Sequence, residues 1–151
     1  MGWYDHPMPT LQDAIELAVH SHRGQTDKAG QPYILHPLRL MMQFTKEHER
    51  IVAVLHDVIE DTNVTMEKLT ELGYDEEIRR AIEHLTRRPD ENYEQFIKRV
   101  VACDLARRVK IADLEDNMDL RRLKVVTEKD LERQRRYHSA WEWLMMMSVK
   151  P

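Results

Sequence analysis

In the stretch Ala53 to Thr62, AVLHDVIEDT, a histidine stands directly before an aspartate, and four residues later a glutamate stands before another aspartate. An imidazole beside a carboxylate can reach one divalent cation from a single helix. The acids one turn further on, Glu60 and Asp61, would then stand beside that ion as bases for a water without having to ligate it. Two more donors of suitable type lie elsewhere: His36, near the end of RGQTDKAGQPYILHP, and Asp113 in VKIADLEDN, where a carboxylate follows an apolar run. His36, His56, Asp57 and Asp113 are therefore a candidate ligand set. Periodicity alone allows a plainer reading, in which Ile51, Val54, Leu55, Val58 and Ile59 form an apolar stripe and His56, Asp57, Glu60 and Asp61 the solvated arc opposite it.

Helices are expected to carry these residues. Four glycines and six prolines are few for 151 residues, and the apolar spacing between them is mostly helical, so one all-α domain over 1–151 is expected. Thr10, with Asp13 three residues on, opens LQDAIELAVHSH, whose stripe runs through Leu11, Ile15 and Ala18 to His22. Pro37 is a favoured first-turn residue and starts a second helix in HPLRLMMQF. ERIVAVLHDVIED makes a third, continuous through the histidine and the acids. Thr65 caps MEKLTEL and Gly73 ends it. DEEIRRAIEHLT, NYEQFIKRVVA and DLARRVKIADLEDNM follow, and Thr127 with Asp130 opens EKDLERQRRYHSAWEWLMMM. The segment from Arg23 to Pro37 breaks this pattern. Irregular connections longer than about 12 residues are uncommon in compact domains and often functional, with a surface excursion as the plain alternative.

Composition narrows the functional classes. The net charge is −4 and no face collects Lys and Arg, which argues against nucleic acid as the main partner. A polyanionic substrate would have to meet positive charge locally, because the overall field repels it. No apolar run approaches the roughly 20 residues of a membrane-spanning helix. The start, MGWYDHPMPT, shows no secretion signal, and His6 stands where a myristoylation motif wants Ser or Thr. Cys103 is the only cysteine and is read as packing, so a reducing cytoplasm is the expected compartment.

Three pieces, GQTDKAGQPYILHP, LHDVIEDT and VKIADLEDNM, in this order and at these separations, resemble the HD-domain hydrolases of the RelA/SpoT family, above all the small stand-alone alarmone hydrolases. The likeness runs from Ala18 to Leu120. An HD dipeptide alone is a weak signal; HD followed by ED-Thr, with HP before and AD and Asn after, is specific. The resemblance implies an all-α HD-domain helical bundle in which His36, His56, Asp57 and Asp113 hold one metal, typically manganese, although such mixed donors suit iron or zinc as well. By the same comparison Glu60 and Asp61 match the acidic pair that positions or activates the attacking water. Asn117 matches a residue lining the nucleotide site, and Lys28 a basic residue near the phosphates, with Arg23 as a further source of positive charge. The implied reaction removes pyrophosphate from the 3′ position of guanosine alarmones such as ppGpp, the nucleotides of the stringent response.

This chain also departs from the family pattern. Asp27 stands where an arginine usually stacks on guanine, Leu114–Glu115–Asp116–Asn117 replaces Arg-Leu-His-Asn, and Asp119 stands where a base is frequent. These changes are expected to make the nucleotide side of the pocket less basic. The substrate is thereby left open among a guanosine alarmone, an adenosine alarmone and another nucleotide phosphate. A non-catalytic nucleotide-sensing or partner-binding module is the competing function, and the retained acidic pair speaks against it. No synthetase pattern accompanies these motifs, so hydrolysis without synthesis is expected. His22 is read as a hydrogen-bonded core histidine beside the site, and a ligand role comes second. His6, His48, His84 and His138 are read as ordinary surface or core residues, and ERQRR as a solvated face. RRYHSAWEWLMMM is read as packing against the core, with a homo-oligomer face as the alternative.

Overall fold

The computed structural model describes residues 7–147, so the readings of His6 and of the Met1–Gly2 start lie outside the described residues. Among the described residues the elements in order are α1 (Leu11–Ser21), α2 (Leu35–Met42), α3 (Glu47–Leu55), α4 (Val58–Asp61), α5 (Met66–Glu71), α6 (Glu76–Leu85), α7 (Tyr93–Val100), α8 (Asp104–Asn117), a 3₁₀ turn (Leu120–Arg122) and α9 (Glu128–Met146). The expected all-helical class is what forms. None of these helices is long and apolar enough to cross a membrane.

Most helices begin where side-chain chemistry says they should. The Thr10 hydroxyl accepts from the Asp13 N–H while the Asp13 carboxylate accepts from the Thr10 N–H, and the same reciprocal box opens α7 at Asn92 and Gln95 and α9 at Thr127 and Asp130. Thr65 and Asp75 cap α5 and α6 in the simpler way. Each cap satisfies backbone donors that a helix start leaves without partners. α2 begins at Leu35, two residues before the expected Pro37. Pro37 still falls in the first turn, where its missing N–H would have no partner within the helix.

α3 lies at the centre, packed by α1, α2, α6 and α8. Ile51, Val52, Ala53, Val54 and Leu55 are all 0% exposed, so the helix is buried all round rather than along one stripe. His56 and Asp57 are each 5% exposed, which rules out the solvated-arc reading for both. The expected continuous helix is interrupted at this point. α3 ends at Leu55, Asp57 takes φ −120° and ψ 12°, and the short α4 restarts at Val58. Successive side chains on an unbroken helix diverge by about 100°. The interruption lets His56 and Asp57 face one centre.

The segment between α1 and α2 folds back on itself through one bridge between Thr26 and Pro32. Within it Asp27 Oδ1 accepts from the backbone N–H groups of Ala29 and Gln31, both at 2.9 Å, and Gly30 adopts φ +79°, a conformation that glycine takes without strain. The Tyr33 N–H then donates to the Gln25 carbonyl at 2.9 Å, which brings Tyr33 and His36 to the buried side. At the other end of the chain α9 lies on α7 and α8 with Ala140 and Leu144 buried. Trp141, Trp143 and Cys103 pack against the core, while Met146 is 65% exposed.

Candidate metal centre and its cleft

Three parts of the chain bring donors to one point: the first turn of α2 with His36, the junction of α3 and α4 with His56 and Asp57, and the last turns of α8 with Asp113. All four side chains are buried. Ligand atoms of His36, His56 and Asp57 lie within 4.8 Å of one another. Asp113 Oδ1 is 2.9 Å from His36 Nε2 and 3.5 Å from His56 Nε2, and Asp57 Oδ2 is 3.7 Å from His56 Nε2. Donors bonded at about 2.0–2.2 Å to one cation stand about 3 Å apart at right angles and about 4.3 Å apart when opposed. His36, His56 and Asp57 therefore fit a single divalent ion, with Asp113 set against both imidazoles.

Each histidine is oriented through its outer nitrogen. His56 Nδ1 donates to the Ala53 carbonyl at 2.8 Å and His36 Nδ1 to Asp116 Oδ2 at 2.6 Å, so both aim Nε2 inward. Burial opposes a positive charge on His56, but Asp57 and Asp113 outweigh it and raise the imidazole to about 9. Burial likewise opposes a charged His36, which hydrogen bonds to Asp113 and Asp116 nevertheless raise. For Asp57, burial is outweighed by the charge of His56, the nearby His22 imidazole and the hydrogen bond of Tyr33, which hold the carboxyl well below the usual range. Lys110, His36 and His56 do the same for Asp113. Lys110 Nζ lies 2.7 Å from Asp113 Oδ2 and 5.2 Å from the centre of the Phe96 ring.

His22 ends the α1 stripe as a buried residue behind Asp57. Its Nδ1 donates to Gln25 Oε1 at 2.8 Å, and its Nε2 stands 3.2 Å from Asp57 Oδ1 without an aligned hydrogen bond. It is not one of the three converging donors.

The centre opens on a cleft with two lobes, of about 290 and 260 Å³, and Tyr33, His36, Asn117 and Tyr137 line both. The smaller lobe contains the four candidate ligands together with Glu60, Asp61, Arg87 and Arg136. Glu60 Oε1 accepts from the Arg87 N–H at 2.8 Å. Burial first, then the charges of Asp57 and Glu60, push Asp61 up to about 6. Asn117 Nδ2 donates to Asp113 Oδ1 at 3.1 Å. Lys28 lines the larger lobe, whereas Arg23 lines neither.

The departures from the family pattern fall in different places. Asp27 lines the larger lobe with Oδ1 committed to its own turn and Oδ2 4.0 Å from Arg122 Nη1. Asp119 also lines it, its carboxylate holding Arg121 at 2.8 Å. Asp116 differs from the expectation: it lines neither lobe, its side chain is 8% exposed, and it lies against His36 and Arg39. Sequence reasoning also missed Tyr33, Lys110, Arg133, Arg136 and Tyr137. Lys110 carried a signal, since it precedes Asp113 by three residues on one face of α8. Arg133 and Tyr137 are one turn apart on α9, the first in the tract read as a solvated face and the second in the tract read as packing against the core. Away from the cleft, His48, Asp75 and Glu77 also bring ligand atoms within 4.8 Å of one another, at a more exposed position where His48 Nε2 donates to Asp75 Oδ2 at 3.0 Å.

An all-helical domain in which an adjacent His–Asp pair meets a histidine and an aspartate from other helices is an HD-type domain. No family model matches the chain. It is 32% identical to guanosine-3′,5′-bis(diphosphate) 3′-pyrophosphohydrolase of Aquifex aeolicus over 79% of this chain and 18% of that protein. It is 33% identical to a GTP pyrophosphokinase of Myxococcus xanthus over 75% of this chain and 18% of that one. Against the guanosine-3′,5′-bis(diphosphate) 3′-pyrophosphohydrolase of Mus musculus it is 37% identical over 50% of this chain and 46% of that one. The chain thus spans under a fifth of the two bacterial relatives and about half of the mouse one. A solved structure of a metazoan orthologue of SpoT shares the fold with a TM-score of 0.73 and 20% identity, over 89% of this chain and 84% of that one. The chain is a homologue of the RelA/SpoT-type HD domains.

Proposed function

We propose that the chain is a metal-dependent phosphohydrolase that removes pyrophosphate from the 3′ position of ppGpp or of a related nucleotide, an adenosine alarmone included. The observation that carries this reading is the convergence of His36, His56 and Asp57, with Asp113 against both imidazoles, beside the acidic pair Glu60 and Asp61. These four would hold the cation, and their mixed nitrogen and oxygen donors suit manganese. A divalent cation there supplies Lewis-acid activation of water and neutralises charge at phosphorus. Asp61, with its carboxyl raised to about 6, takes the proton of the attacking water, and Glu60, anchored on the Arg87 N–H, orients that water.

The two lobes divide the substrate. The pyrophosphate lies in the smaller lobe, where Arg87 and Arg136 add positive charge. The nucleoside lies in the larger lobe with Lys28, Arg133 and Tyr137. Asn117, on the wall of both, faces the sugar between them. Arg23, outside both lobes, contributes charge only at long range. Asp27, Asp119 and Asp130 balance the bases of the larger lobe, which suits a nucleoside better than a second pyrophosphate.

The test is pyrophosphate release from guanosine and adenosine alarmones, ordinary nucleoside triphosphates and 3′-phosphorylated cofactors in the presence of Mn²⁺. Turnover of an alarmone is expected, with a loss of several orders of magnitude in Asp57→Ala. Full turnover in that variant would refute the assigned site. Tight binding without turnover across the panel would favour the non-catalytic sensor.

A further inference from the structure

Asp116 lies outside the cleft, yet it grips one of the candidate ligands, His36. Its Oδ2 accepts from His36 Nδ1 at 2.6 Å, and the Arg39 guanidinium reaches the same carboxylate through Nε at 2.8 Å and Nη2 at 3.0 Å. Arg122 Nη2 lies 3.4 Å from Oδ2 and donates to the Asp116 backbone carbonyl at 2.7 Å. A two-pronged arginine contact fixes the plane of a carboxylate. A carboxylate fixed in this way fixes the ring that donates to it.

One face of α8 therefore holds both nitrogens of His36. Asp113 meets Nε2 at 2.9 Å and Asp116, three residues later, meets Nδ1. With the Nδ1 proton committed to Asp116, the lone pair on Nε2 points into the centre. Partners of this kind set the tautomer and orientation of a ligating imidazole and increase its basicity.

We propose that Asp116 is a positioning residue of the metal centre: it locks His36 with Nε2 inward and strengthens that nitrogen as a donor, with Arg39 and Arg122 as its frame. The inference rests on the metal-site reading above. A plain ion pair tying α2 to α8 would instead make Arg39 and Asp116 equally important.

The experiment is a Mn²⁺ titration of the full chain against a chromogenic chelator, for the wild type, His56→Ala, Asp116→Asn and Arg39→Gln, with thermal unfolding of each in EDTA. Asp116→Asn is expected to weaken Mn²⁺ binding by about 10–100-fold. Arg39→Gln, which loosens the frame but leaves the carboxylate on His36 and Arg122 beside it, is expected to lower the metal-free melting temperature as much as Asp116→Asn does while weakening Mn²⁺ binding clearly less than that variant. Equal losses of affinity in the two variants, or none in Asp116→Asn while His56→Ala abolishes binding, would overturn the proposal alone. Binding indifferent to His56→Ala would overturn the metal site and the proposal with it. The unmutated protein gives a second readout in the ¹⁵N shifts of the His36 ring with diamagnetic Zn²⁺ bound in place of Mn²⁺. A protonated Nδ1 is expected, and a protonated Nε2 would refute the proposal.

Discussion

Replacing Lys110 by methionine tests whether the centre is built to hold a cation. The lysine side chain is 14% exposed and the Asp113 side chain 7%, so their 2.7 Å contact is a buried ion pair. Removing one partner of such a pair costs about 3–5 kcal/mol, because the other charge stays buried. Asp113 would keep three hydrogen-bond or ion-pair neighbours, His36 at 2.9 Å, Asn117 at 3.1 Å and His56 at 3.5 Å. Methionine keeps most of the apolar stem against Phe96. Both facts place the expected loss lower, at about 2–3 kcal/mol. At about 2–4 °C per kcal/mol for a chain of this size, the melting temperature in EDTA should fall by roughly 4–12 °C. Saturating Mn²⁺ should reverse the comparison in part. The cation then supplies the counter-charge of Asp113 and no longer meets an ammonium beside it, so the gap between variant and wild type should shrink by at least half. Differential scanning calorimetry of both proteins, with EDTA and with Mn²⁺, measures this directly. A gap of equal size in the two conditions would refute the reasoning.

Three further outcomes are expected. His36 and His56 are raised above 6.5 by their carboxylate neighbours in spite of burial, so their contribution is complete below that pH and is lost as pH climbs through the folded values, about 9 for His56. The melting temperature in EDTA should therefore fall from pH 6.5 toward about 9, and Mn²⁺, which binds neutral imidazoles, should remove the fall; a flat profile in EDTA would contradict this. Leu144→Ala empties a fully buried site on α9 and should cost about 2–5 kcal/mol in urea unfolding followed by tryptophan fluorescence, and a loss below about 1 kcal/mol would mean that α9 is not docked through it. Arg99 holds Glu91 at 2.7 and 2.8 Å and the Thr86 carbonyl at 2.7 Å, so Arg99→Ala should cost about 1–3 kcal/mol and expose residues 86–92 to protease, whereas an unmoved urea midpoint would class the pair with weak surface contacts.

Local chemistry announced most of the fold. Thr10 with Asp13, Thr127 with Asp130 and Gly73 mark helix ends through bonds between residues a few positions apart, and such bonds leave a trace in the sequence. The interruption at Asp57 left none, because Val58 continues the apolar spacing of Val54 and Leu55 whether or not one residue unwinds between them. The same difficulty hid Tyr33, whose hydroxyl donates to Asp57 across 24 positions. Asp116 was open to a better reading. A carboxylate three residues beyond Asp113 on one helix shares its face, and that spacing pointed toward His36 rather than toward the nucleotide.

The sequence distance spanned by the metal centre bears on how the protein comes apart. His36 and Asp113 are 77 positions apart, so the two meet only after α8 has docked on α2. A site assembled from such distant contacts forms late, and a ligand that binds it stabilises the native state more than the transition state ahead of it. The expected consequence is kinetic: Mn²⁺ should slow unfolding in proportion to the stability it adds and leave the refolding rate nearly as it was. A refolding limb accelerated by the metal would show instead that the centre is already assembled at the barrier.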